Sequence, residues 1–206
     1  MRIIDIIEGR FDPYNNKAIF FAGGAGSGKT FISRKLASVF YGLKQVNPDQ
    51  AFKYLLKKTN LNVKMPPEEE YFRDRMRQRS KNIAGKVQQT YQKSNLGMII
   101  DTTGRSYRRI DDTKKELEQQ GYDTAMVFVN ADIQTQLMRN KQRERQVPEK
   151  VILDNSKLIN QNLGKYQRLF GNNFFIIDNS NKNQSNITQD LAQLESQIRA
   201  FLQSNK

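Results

Sequence analysis

Cysteine, histidine and tryptophan are all absent from the 206 residues. Without cysteine there are no disulfides and no thiol nucleophile. Without histidine there is no imidazole base, and the usual zinc ligand sets are gone with it. Acid–base chemistry therefore falls to Asp, Glu, Lys or Tyr. Long hydrophobic runs are missing as well: none approaches the roughly 20 residues that a membrane helix needs. Asp5 and Glu8 interrupt the apolar start of the chain, unlike a secretory signal. These absences predict a cytoplasmic protein with no membrane partner, long enough to bury one core without metal or disulfide.

Basic residues, by contrast, are abundant: 34 Lys and Arg against 21 Asp and Glu, a net charge of +13. The excess concentrates in residues 73–150, with 17 basic and 10 acidic side chains, against 6 and 4 in 151–206. An anionic partner fits that distribution, whether nucleic acid, nucleotide or phosphorylated sugar. A solvated, charge-rich surface accounts for it as well.

Strand and helix patterns alternate along the chain, which predicts a three-layer α/β domain. The expected class is a doubly wound, parallel, five-stranded sheet of the P-loop NTPase type with a helical lid, as one domain over residues 1–206. Apolar runs mark strands at 18–22, 44–47, 97–101, 124–129 and 173–177. Helical spacing predicts a helix over 30–40 through Phe31, Leu36, Val39 and Phe40. A short helix is expected at 50–58. A long one follows Pro66 and Pro67 and runs to about Lys93, with a core face of Phe72, Met76, Ile83, Val87 and Tyr91. Further helices are expected at 108–120, 133–143, 149–170 and 187–203.

The most specific signal is Gly23-Gly24-Ala25-Gly26-Ser27-Gly28-Lys29-Thr30, which satisfies G-x-x-x-x-G-K-[ST] between a strand and a helix. Such a loop turns successive backbone N–H groups toward phosphates, helped by the positive end of the helix dipole. Gly24, Ala25, Gly26, Ser27, Gly28, Lys29 and Thr30 are the expected nucleotide-binding residues. Lys29 reaches the β- and γ-phosphates, and Thr30 offers its hydroxyl to magnesium. ATP and Mg²⁺ are the expected cofactors.

Asp101-Thr102-Thr103-Gly104 has the form of a GTPase D-x-x-G, but the guanine-reading N-K-x-D is missing. The nearest match, Asn140-Lys141-Gln142-Arg143, has the wrong fourth residue and lies in a predicted helix. A hydrolytic ATPase places a carboxylate beside its magnesium aspartate, whereas Asp101 is followed by two threonines. Transfer to a hydroxyl needs a carboxylate to take the proton and cations over the moving phosphoryl group. Asp49 follows the second strand, at the edge where α/β sheets bind ligands. It also suits a place at the start of the next helix. Arg139 and Arg143 share a helix face, and with Arg145 they suit a lid at about 139–148. A solvated basic face is the plainer account of these arginines.

On these residues the chain resembles the P-loop kinases that include zeta toxins and the 5′-kinase domain of phage polynucleotide kinase. The likeness rests on GGAGSGKT (23–30), VNPDQAF (46–52), GMIIDTTG (97–104), VFVNADIQTQLMRNKQRERQVP (127–148) and FFIIDNS (174–180). It implies Asp49 as general base and Asp101 as the acidic residue that organises the site, near both magnesium and acceptor. It also implies that Arg139, Arg143 and Arg145 lie in the lid, where an arginine meets the nucleotide phosphates.

The acceptor implied is either the 5′-hydroxyl of a nucleic acid or a sugar hydroxyl of a UDP-amino sugar. A non-catalytic nucleotide-binding module, or another P-loop NTPase, is the rival. One departure stands out. Polynucleotide kinases carry an arginine three residues after the base, where this chain has Phe52 followed by Lys53. Lys53, or Arg105 with Arg108 and Arg109, is the expected replacement. Few Cys, Trp and His beside much Asn, Gln and Lys also suggest an AT-rich microbial or phage genome, which for a phage gene means the host cytoplasm.

Overall fold

The computed structural model describes residues 12–62, 67–143, 146–180 and 184–204. Five strands form one parallel sheet: β1 (Lys17–Ala22), β2 (Lys44–Val46), β3 (Met98–Asp101), β4 (Asp123–Asn130) and β5 (Phe174–Asp178). Their order across the sheet is β2-β3-β1-β4-β5, so β1 lies at the centre with β3 and β4 on either side. The helices are α1 (Lys29–Val39), α2 (Pro48–Lys58), α3 (Glu70–Lys93), α4 (Tyr107–Gln119), α5 (Ile133–Lys141), α6 (Glu149–Phe170) and α7 (Gln184–Gln203). Among the described residues, no helix is long and apolar enough to cross a membrane.

Strand alternation sends successive side chains to opposite faces, and the core divides accordingly. Ile19, Phe21, Ile99 and Val127 pack with Ile32 and Leu36 of α1 and with Leu194, Ile198 and Phe201 of α7. Ala18, Phe20, Met98, Ile100 and Phe128 pack with Ala84 of α3, Ile110 and Leu117 of α4, and Ile159, Tyr166 and Phe170 of α6. These are the three expected layers. Each large apolar side chain so buried contributes about 1.5–3 kcal/mol against the entropy of ordering the chain.

Two helix faces differ from expectation. In α1 the buried residues are Ile32, Ser33 and Leu36, while Phe31 and Val39 are exposed. In α3 the buried residues are Ser80, Ala84 and Gln92, and Phe72 and Ile83 face outward. Both helices lie close to the sheet or to a neighbouring helix, where a small residue permits an approach that a ring prevents. The start of α3 is a 3-10 turn at Pro67–Glu69; Pro66 lies outside the described residues.

A buried lysine fastens the opposite end of the sheet. Lys17 at the start of β1 is 7% exposed. Its Nζ donates to Asp123 Oδ2 at 2.8 Å and to the Ser204 carbonyl at 2.6 Å. The first strand, the fourth strand and the end of α7 meet at this one ammonium.

Candidate active site

β1 delivers the glycine loop to the carboxyl edge of the sheet, where open α/β sheets bind ligands. Gly26 and Gly28 have φ of 85° and 86°, the left-handed region that disfavours a side chain. Space forbids one too. A Cβ on Gly26 would strike the Gln136 carbonyl, and one on Gly28 would strike Asn179 Nδ2. The loop is therefore held from behind by α5 and by the residue that follows β5.

Asn179 Nδ2 donates to the Ser27 carbonyl at 2.7 Å, and its backbone N–H donates to the Asn130 carbonyl at 2.8 Å. Arg139 Nη1 donates to the Asn179 carbonyl at 2.8 Å and reaches the Gly26 carbonyl at 3.5 Å. Ser27 itself is fully buried, so its contribution to the cradle comes from the backbone and not from its hydroxyl.

At the start of α1, Lys29 forms an ion pair with Asp101 Oδ1 at the end of β3. Asp101 Oδ2 accepts from Asn47 Nδ2 at 2.8 Å. Burial holds the Asp101 carboxyl above the usual aspartate range, although Lys29 pulls it the other way; the nearby Asp49 adds to the rise. Asn47 has a second task. Its Oδ1 caps α2 by accepting from the Asp49 N–H at 2.8 Å and the Gln50 N–H at 3.4 Å. One amide side chain thus links the Asp49 backbone to the Asp101 carboxylate.

Lys29, Asp49 and Asp101 line a common cavity of about 420 Å³. Its far wall carries Arg105 and Arg109, together with Arg77 and Lys81 of α3. The turn bearing Arg105 is fixed from α6. Tyr166 Oη donates to the Gly104 carbonyl at 2.8 Å, and Asn162 Nδ2 donates to the Arg105 carbonyl at 2.9 Å. Arg105 Nη1 donates to Asn155 Oδ1 at 3.2 Å.

Other expected contacts fall elsewhere. Lys53 is exposed and does not line the cavity; Phe52 beside it does. Arg108 is exposed and lies near Asp112 at 3.8 Å. Arg143 is exposed just beyond the end of α5, and Arg145 lies outside the described residues.

The lid segment has a visible fastening. Asn140 Nδ2 donates to the Val147 carbonyl at 2.8 Å, and the Val147 N–H donates back to Asn140 Oδ1 at 2.9 Å. Asn47, Asn140, Asn162 and Asn179 were not singled out from sequence. The only signal for them was position: each sits at a strand end or a helix terminus, or faces a turn.

A magnesium ion fits the donors here if phosphates complete its shell. The Thr30 hydroxyl and the Asp101 carboxylate are hard oxygen ligands of the right kind. Among the described residues no cluster of three or more His, Cys, Asp or Glu side chains could hold a metal alone.

A family model described as AAA domain, AAA_33, matches residues 19–165, well over half of the chain. No curated protein matches. Solved structures do, at low identity. The shikimate kinase of Acinetobacter baumannii in complex with shikimate aligns with a TM-score of 0.54 and 18% identity, over 97% of this chain and 98% of that one. The Pnkp1/Rnl/Hen1 RNA repair complex aligns with a TM-score of 0.58 and 18% identity, over 74% of this chain and 46% of that one. The AvrRxo1-ORF1:-ORF2 complex with ATP gives 0.62 and 14%, over 80% and 55%. The chain thus spans about half of the last two, and the likeness is one of fold: a P-loop kinase-like α/β domain.

Proposed function

We propose, on the premise that the chain belongs to the AAA domain family AAA_33, that it is a kinase. It transfers the γ-phosphate of ATP to a hydroxyl, and the acceptor is the 5′-hydroxyl of a nucleic acid. The observation that carries this reading is the shared cavity. The P-loop lysine and two carboxylates, Asp49 and Asp101, open onto one space with four further cations. A hydrolase has no need of a basic chamber on the acceptor side.

In this reading the loop amides and Lys29 hold the β- and γ-phosphates. Thr30 and Asp101 would hold magnesium, which neutralises charge on the phosphates. Asp49 accepts the proton of the acceptor hydroxyl as its oxygen forms the new bond to the γ-phosphorus. The bond from that phosphorus to the β–γ bridging oxygen breaks, and ADP leaves with the bridging electrons. Arg139, which borders the loop at Gly26, supplies positive charge toward the transferring group, with Arg143 and Arg145 on the segment that follows. Positioning and electrostatics carry the rate, since the protein makes no covalent intermediate.

The net charge of +13 and the basic cavity wall favour the nucleic-acid acceptor. The RNA repair complex among the structural neighbours is in keeping with it. The test is transfer from labelled ATP to 5′-hydroxyl oligonucleotides, nucleosides and UDP-sugars. The Asp49→Asn chain serves as control: transfer should fall by about 10²- to 10⁴-fold with ATP affinity retained. Label in UDP-sugars alone would replace the acceptor. No labelled product from any acceptor, with Asp49→Asn indistinguishable from the native chain, would leave a nucleotide-binding module.

A further inference from the structure

The acceptor side of the cavity holds more positive charge than a neutral alcohol requires. Lys29 is matched by Asp101. Asp49 is the one other carboxylate among the lining residues, set against Arg77, Lys81, Arg105 and Arg109. These four come from two separate elements. Arg77 and Lys81 are four apart on α3 and so share a face; Arg105 and Arg109 belong to the turn after β3 and the first turn of α4.

Arg77 is the best seated of the four relative to the chemistry. Its guanidinium carbon lies 5.5 Å from the centroid of the Phe52 ring. Phe52 is only 2% exposed, so the ring is a fixed platform. Phe52 is also three residues beyond Asp49 on α2, hence on the same helix face and about 4.5 Å further along the axis. A cation stacked on that ring is therefore held about one helical turn from the carboxylate assigned as base. The ion pair of Arg77 with Asp74 is long, at 3.9 Å, and its side chain is half-exposed. That contact is too weak to compete with a phosphate.

We infer that Arg77, braced on Phe52 and backed by Lys81, reads a phosphate adjacent to the hydroxyl that is phosphorylated. The acceptor is then a phosphate-bearing alcohol and not a neutral sugar or free nucleoside. This rests on the kinase reading for the identity of the pocket, but its test does not require turnover. The same phosphate chemistry can come from a nucleic-acid strand, on the 3′ side of the accepting nucleoside, or from the diphosphate of a nucleotide-sugar.

The experiment is calorimetric titration of the full chain with thymidine 3′-monophosphate, UDP-N-acetylglucosamine or thymidine. A non-hydrolysable ATP analogue and magnesium keep the phosphate loop occupied; where that analogue fails to bind, the titrations are run without it. At least one phosphorylated ligand should bind about tenfold or more tightly than thymidine, the scale of a charge-assisted contact. Which one does so names the source of the phosphate. Arg77→Gln and Lys81→Gln should each weaken that ligand about tenfold and leave thymidine unchanged. Phe52→Leu, which keeps an apolar core residue, should lower the same affinity by a smaller factor.

Thermal melts of all variants separate this effect from unfolding. The inference falls if neither phosphorylated ligand binds more tightly than thymidine, or if Arg77→Gln leaves the preference intact in a chain that melts normally. Failure of the kinase reading looks different: the ligand preference persists, yet no acceptor receives label from ATP.

Discussion

Lys29 at the start of α1 and Asp101 at the end of β3 are ion-paired across the mouth of the glycine loop. Both side chains are largely buried, at 14% and 12% exposure. The lysine that the P-loop offers to phosphate thus already has an anionic partner, and ATP must compete for it. In return, the carboxylate gains freedom to turn toward a cation once the lysine has moved to the phosphates.

That competition predicts opposite effects on two measurements. Asp101→Asn should tighten ATP binding several-fold, on the order of 1 kcal/mol, when titrated in the presence of a magnesium chelator. The same substitution should lower phosphoryl transfer with magnesium present. Lys29→Met should weaken ATP binding under both conditions and cut transfer by about 10²- to 10³-fold. If Asp101→Asn weakens metal-free ATP, the ion pair does not compete with phosphate.

The back of the loop depends on Asn179. Asn179→Ala removes the donor to the buried Ser27 carbonyl and should cost about 1–3 kcal/mol. ATP affinity should drop with it, because the loop loses its support. Thermal melting and ATP titration of one preparation check both effects. An unchanged melting temperature would show that the bond contributes little.

Asp132 gives a dependence on pH. It caps α5, accepting from the Thr135 N–H at 2.7 Å and from the Thr135 hydroxyl at 2.7 Å. These bonds, the backbone one first, hold its carboxyl below the usual aspartate range. A lowered folded-state value means that the unfolded chain binds the proton more readily. The stability it contributes is therefore present above the ordinary value of 3.8 and is lost as pH falls through the lower folded-state value. Asp132→Asn keeps a cap but cannot titrate. Its melting temperature should change less than that of the native chain between pH 5 and the acid limb, the rough span over which such carboxylates protonate.

At the other end of the sheet, Lys17→Met should destabilise the fold without touching nucleotide binding. The change strands Asp123, whose side chain is 18% exposed, beside a buried apolar group. About 1–3 kcal/mol is expected, below the 3–5 kcal/mol of a fully buried broken pair because Asp123 keeps some water. Denaturant unfolding measures it, and an ATP titration of the folded variant should match the native chain.

The layered fold and the glycine loop were legible from sequence because both write themselves into short-range pattern. β1 is a bare apolar run, and the loop has a fixed spacing of glycine, lysine and threonine. Helix phase was less legible. Phe31 and Val39 have the spacing of a core stripe, yet the stripe that packs is Ile32, Leu36 and Phe40, one residue on. Both sets repeat at helical intervals, and only the sheet decides between them. α3 hides its packing further, because Ser80 and Ala84 carry no hydrophobic signal proportionate to their burial.

The site divides along the same line. Lys29, Asp49 and Asp101 stand at strand ends and helix starts, where chemistry is expected, and one cavity joins them. Lys53 sits next to the right position in sequence, but adjacent helix residues diverge by about 100°. Phe52 takes the inward place. Arg77 comes from a helix whose charges all look alike in sequence, and nothing but its stacking on Phe52 sets it apart.

Asn47 spans two elements with one amide: its oxygen holds the first turn of α2 and its nitrogen holds Asp101. The two ends of that group are not interchangeable. Aspartate there would preserve the helix cap and turn the other end from donor to acceptor, facing one carboxylate with another. Serine would cap the helix but fall short of β3. The spacing between a proton acceptor on one element and a carboxylate on another is thus set by a third residue that does no chemistry. Drift at that position would shift the two carboxylates relative to each other while leaving both of them, and the fold, in place.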